Sequence, residues 1–100
     1  SNLGLNPQSN GEMILINVPQ LTEERRKDLA KQARAEAEHA KVGIRNARKD
    51  GNDEIKKLEK DGLSEDSAKA VEDTIQELTN EFTSKVDKIL VAKEADIMKV

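Results

Sequence analysis

The sequence contains no cysteine, no tryptophan and no tyrosine, and Phe82 is its single aromatic residue. Without cysteine there is no disulfide scaffold, no thiol nucleophile and no cysteine-ligated zinc. Without aromatic platforms, reading of single-stranded nucleic acid by base stacking is disfavoured. Proline is confined to Pro7 and Pro19, so everything downstream is free of the residue that most strongly breaks helices. Long apolar runs are missing too. Met13-Ile14-Leu15-Ile16 is the longest near the N-terminus, far short of the ~20 residues a bilayer requires, and no signal-peptide pattern precedes it. A soluble, cytoplasmic chain with no membrane partner is expected. Catalytic constellations are equally scarce, with one histidine, His39, no glycine-rich phosphate loop and no HExxH spacing; no enzyme activity, cofactor or metal is expected. His39 stands between Glu38 and Ala40 on a solvated stretch and reads as a surface residue.

What is present is charge. Of 100 residues, 37% are charged and 35% hydrophobic, a balance that leaves little for a thick core and suits long, surface-rich helices. Residues 1–21 differ from the rest: glycines, asparagines and both prolines predict a loop, then a short strand over residues 13–18 ended by Pro19. From Thr22 onward, Leu29, Ala33, Ala37, Ala40, Ile44, Ala47, Gly51, Ile55 and Leu58 recur in steps of four and three, one helical face. Thr22 is a candidate N-cap with Glu23 and Glu24 in the first turn, and Gly62 marks the stop. Ser64, Glu65 and Asp66 open a second helix whose face carries Val71, Ile75, Leu78, Phe82, Val86 and Ile89. The expected architecture is all-α: helix 22–60, turn 61–64 and helix 65–99 as an antiparallel hairpin forming one domain over residues 22–100, preceded by the separate segment 1–21. One thin seam is little burial for two such helices, so a third apolar surface is expected from another helix, a second copy or a partner.

Charge is unevenly placed. Residues 22–51 hold nine Lys or Arg against six acids, a net of +3, whereas residues 52–100 net −5. Lys27, Lys31, Arg34, Lys41, Arg45 and Arg48 recur at helical spacing, a stripe about 100° around from the apolar line and interrupted by Glu38. Such a stripe has two readings. It is either a solvated face laced with i,i+4 ion pairs, the more common case in a helical hairpin, or a surface for a phosphate backbone, to which the planar forks of Arg25, Arg26, Arg34, Arg45 and Arg48 are suited. Residue physics alone stops at a helical interaction module with a polyanion-binding face; a coiled-coil structural or protein-interaction module remains the alternative.

Longer motifs carry a resemblance. Leu21-Thr22-Glu23-Glu24-Arg25-Arg26-Lys27-Asp28-Leu29 and Ile44-Arg45-Asn46-Ala47-Arg48-Lys49-Asp50-Gly51-Asn52-Asp53 are similar to runs in the bacterial ribosome recycling factor family. The similarity continues through Leu63-Ser64-Glu65-Asp66, Ile75-Gln76-Glu77-Leu78-Thr79 and the ending Ala92-Lys93-Glu94-Ala95-Asp96-Ile97-Met98. Asn2-Leu3-Gly4-Leu5-Asn6-Pro7 resembles the stretch leading out of that family's second domain. The resemblance implies an L-shaped protein with a three-helix bundle and a small β-rich domain joined by a hinge. On that basis the chain is a fragment: two bundle helices, the hinge and the last β strand, with the first helix and most of the β domain upstream of Ser1.

The resemblance also implies a role without catalysis by the factor itself. The family binds large-subunit ribosomal RNA and, with elongation factor G hydrolysing GTP, separates ribosomal subunits after termination. Carried position by position, the RNA-binding set is Arg26, Arg45 and Arg48, with Arg25, Lys41 and Lys49 in support, and the hinge is Val18, Pro19 and Gln20. Gln20 replaces the second proline usual in that hinge, and the turn at Asp61-Gly62 is one residue short. Self-association of the fragment through its exposed seam is the remaining expectation.

Overall fold

In the computed structural model, residues 21–99 are described; the strand expected over residues 13–18 and the hinge at Val18, Pro19 and Gln20 lie outside them. Two helices account for nearly all of this span, α1 (Glu23–Lys60) and α2 (Glu65–Met98). At 1.5 Å per residue α1 is about 57 Å long. The helices pack side by side as an antiparallel hairpin, and the all-α architecture read from the sequence is the one observed.

The caps explain why the helices begin and end where they do. Thr22 has an extended backbone and its Oγ1 accepts the Arg25 N–H at 3.0 Å, while Glu23 and Glu24 place negative charge at the helix amino end. Ser64 repeats the arrangement for α2, accepting from the Ser67 N–H at 3.1 Å. Between them, the end of α1 forms a Schellman motif: Gly62 N–H donates to Glu59 O and Leu63 N–H to Leu58 O, at 3.1 and 2.9 Å. That geometry puts Gly62 at φ +116°, where a side chain would be strained.

The seam is narrower than the apolar pattern. Ala30, Ala37 and Ile55 of α1 and Ala68 of α2 are its buried residues, with Leu29, Ile44, Gly51, Ile75, Val86 and Leu90 half-buried beside them. Ala40, Ala47 and Leu58, which share the expected α1 face, are exposed, as are Val71, Leu78, Phe82 and Ile89 on α2. The reason is geometric. One neighbouring helix covers a single stripe, whereas the apolar face here is broad enough for two neighbours. Close approach is sustained by small residues: a Cβ on Gly51 would stand 3.0 Å from Ile75 Cδ1.

The uncovered strip forms a row of clefts along one side of the hairpin. One of about 260 Å³ lies among Ile44, Ala47, Arg48, Ile75, Leu78 and Phe82. The next, about 270 Å³, is lined by Ala33, Ala37, Ala40, Val86, Ile89 and Leu90. A third, about 400 Å³, opens at the end away from the turn, between Leu21, Leu29 and Gln32 of the entering chain and α1 and Lys93, Asp96 and Ile97 of α2.

Candidate nucleic-acid-binding face

The cations of α1 divide by what holds them. Arg34 Nε donates to Glu94 Oε2 at 2.7 Å, and Lys41 Nζ donates to Asp87 Oδ1 at 2.9 Å with Glu38 Oε1 at 3.2 Å on its other side. These two rungs are seven residues apart on each helix, so one antiparallel register satisfies both. Hydrogen bonds to Asp87 and then Glu38 hold the Lys41 ammonium above the ordinary lysine range. Arg26, half-buried beside the end of α2, donates from Nη1 to the carbonyl of Ile97 at 2.8 Å and to that of Lys99.

Toward the turn the situation changes. Arg45 and Lys49 are exposed and Arg48 is half-buried, and none of the three has an ion-pair partner among the described residues. Ideal helical spacing puts Arg45 and Lys49 within about 40° of each other, with Arg48 about 60° to the seam side of Arg45. Arg48 therefore has two environments along its length: it borders the cleft of Ile75, Leu78, Thr79 and Phe82, while a long side chain of this type keeps its charged head in water. Arg25 is likewise exposed and unpaired among the described residues, in the first turn.

Of the six positions carried over from the resemblance, Arg45, Arg48 and Lys49 form one cluster. Arg25 and Arg26 stand at the far end of α1, and Lys41 lies midway, held by acids from both helices. Residue reasoning missed the cross-helix partners Asp87 and Glu94. Their shared seven-residue spacing with Arg34 and Lys41 was the available signal, but pairing them requires the register of the hairpin. Among the described residues there is no group of His, Asp or Glu side chains able to hold a metal ion, and no helix is long and apolar enough to cross a membrane.

A long antiparallel helical hairpin that carries a cluster of arginine and lysine without ion-pair partners among the described residues is a helical module with a candidate polyanion-binding face. Comparison with known proteins gives that class a family. The model of the ribosome recycling factor family matches residues 1–98, and the chain belongs to that family, one of translation factors rather than enzymes. Similar relatives are the ribosome-recycling factors of Flavobacterium johnsoniae, 62% identical over 100 residues, and of Flavobacterium psychrophilum, 61% identical over 100 residues. That of Neisseria gonorrhoeae is 54% identical over 101 residues. Each match covers 100% of this chain and 54–55% of the relative, so the chain spans about half the length of the relatives it matches.

Proposed function

We propose that this chain is the part of a ribosome recycling factor that holds large-subunit ribosomal RNA, and that Arg45, Arg48 and Lys49 are the centre of the contact. The observation that carries this reading is the contrast along one helix. Arg34 and Lys41 are neutralised by acids of α2, whereas Arg45, Arg48 and Lys49 have no acidic partner among the described residues and leave their donors to solvent. Phosphate oxygens are the matching acceptors, and guanidinium forks bind them bidentately. With Phe82 as the only aromatic, contact is with the backbone of structured RNA rather than with splayed bases. Arg25, Arg26 and Lys41 extend the same helix toward the other end and complete the proposed set, Arg26 and Lys41 with fewer donors to spare. In the whole protein this binding serves the separation of post-termination ribosomes in the cytoplasm, with elongation factor G and its GTP supplying the work, and Val18, Pro19 and Gln20 act as the hinge between this bundle and a β-rich domain.

A photoreactive residue at exposed Asn46, about 60° around α1 from Lys49, should crosslink to large-subunit RNA, and one at exposed Glu77 on α2 should not. Equal crosslinking from both positions, or none from position 46, removes this face from the reading.

The apolar clefts favour a second property. We infer that a third helix of the bundle covers Phe82, Leu78 and Ile89 in the whole protein, and that the 100-residue chain by itself pairs groove to groove with another copy. This is also the one observation that favours a coiled-coil interaction module as the alternative function.

A further inference from the structure

The last turn of α2 holds no basic residue of its own. Four carbonyls of the last turn have no intrahelical donor, and they concentrate the negative pole of the helix dipole. α1 meets this with Lys57 and Lys60 in its own last turn; α2 has no basic residue there, and its capping residue Lys99 makes one backbone bond, to Asp96 O at 3.3 Å. Besides the capping Lys99 itself, the cation that hydrogen-bonds carbonyls at this end comes from the other helix. Arg26 Nη1 reaches across to the carbonyls of Ile97 and Lys99, more than 70 residues away in sequence, and is half-buried in doing so.

We propose that Arg26 is a latch that caps α2 in trans and closes the open end of the hairpin, a role it performs whether or not RNA is bound. Only an arginine offers two hydrogens on one planar nitrogen at that reach; Nη1 spends them on the two carbonyls, and Nε and Nη2 have no partner among the described residues. The latch completes a series. Arg26, Arg34 and Lys41 join α1 to the last third of α2 at intervals of eight and seven residues, whereas toward the turn Ile55, Ala68 and the close approach of Gly51 to Ile75 hold the helices together by packing. Ile97, whose carbonyl the latch holds, also walls the open-end cleft opposite Leu21 and Leu29. Releasing Arg26 therefore frees that wall as well as the helix end.

Amide hydrogen exchange on the full chain separates this role from a merely exposed charge. Arg26→Gln should speed exchange at residues 95–98 about tenfold while leaving amides around Ile55 and Ala68 unchanged, and Arg25→Gln, one residue away and exposed, should leave exchange unchanged at both places. Unchanged exchange in Arg26→Gln, or an equal increase in Arg25→Gln, overturns the latch. Should Arg26→Gln fail to fold, the parent chain decides. Its Arg26 Nη protons should exchange with water several-fold more slowly than those of Arg25 in an NMR measurement, and equal rates overturn the proposal.

Discussion

Arg45 and Arg48 are three residues apart, yet replacing them should not have the same consequences. Arg45 is exposed, and in the proposed contact it acts through its charge, so Arg45→Gln should leave the helical content and melting behaviour of the chain unchanged while lowering the salt dependence of RNA binding by about one phosphate contact, a slope change of roughly 0.7–0.9. Arg48 is half-buried and borders the cleft of Ile75, Leu78 and Phe82. Truncation to Ala would confound lost packing with lost charge, and Arg48→Met, which keeps the stem, isolates the charge. Thermal melts of the two variants beside binding at several salt concentrations check both statements.

Lys41 supplies a pH signature at the same scale. Its ammonium is hydrogen-bonded to Asp87 and Glu38, so its folded value lies above the ordinary lysine value of 10.5. The contribution of this group is complete below that value and fades as pH rises through the raised one, because deprotonation then removes the bonds that folding had gained. An NMR titration of the Lys41 Nζ signal should give a midpoint above the ordinary lysine value; a midpoint at or below it would contradict the Glu38–Lys41–Asp87 arrangement.

At the scale of the helices, local sequence carried most of the information. Thr22, Ser64 and Gly62 are legible as start, start and stop signals because capping needs only a few consecutive residues, and all three do in the structure what their chemistry dictates. Ser64→Ala should cost about 1 kcal/mol, the usual value of an N-cap, read as a lower denaturation midpoint. The packing of the two helices was less legible. Ala30 and Ala68 are among the most buried residues although neither stood out in the apolar pattern, and Leu78 and Phe82, which did, are half in water. Periodicity reports which face is apolar; it does not report which part of that face the neighbour takes, since that depends on interhelical distance, which small residues set. Gly51 tests the point. Gly51→Ala gains helix propensity of up to about 1 kcal/mol, and the only atom it crowds is the terminal methyl of Ile75, which borders an open cleft and has room to turn. A modest rise in stability is expected, whereas the branched Val at this position should destabilise by about 1–3 kcal/mol. Denaturant unfolding of the pair decides.

For the molecule as a whole, sequence and structure agree that the hairpin has more apolar surface than two helices consume. Phe82 and Ile89 are 47% and 68% exposed, and they share a face with Leu78, so the row of clefts continues along the hairpin. If copies pair through that row, sedimentation equilibrium should show a mass that rises with concentration, and Phe82→Asp should return the chain to a monomer; concentration-independent mass in both would exclude the groove-to-groove pairing. The candidate RNA face was legible in part. The basic stripe emerges from residue spacing, and the resemblance picks out Arg45 and Arg48 within it, but which cations are already neutralised depends on contacts from α2 that linear sequence does not place. Those contacts single out a bonded stretch at Arg34 and Lys41 within a stripe that Glu38 already interrupts, leaving Lys27 and Lys31 on one side and Arg45, Arg48 and neighbouring Lys49 on the other without ion-pair partners among the described residues.

The central claim is that this unpaired cluster grips ribosomal RNA, and co-sedimentation of the 100-residue chain with large ribosomal subunits tests it most directly. The chain should sediment with subunits at low salt, come off as salt is raised, and lose most of its binding in the Arg45→Gln/Arg48→Met double variant while a Lys41→Gln variant loses little. Binding that is indifferent to salt and to the double variant, with the chain still folded, would contradict the account.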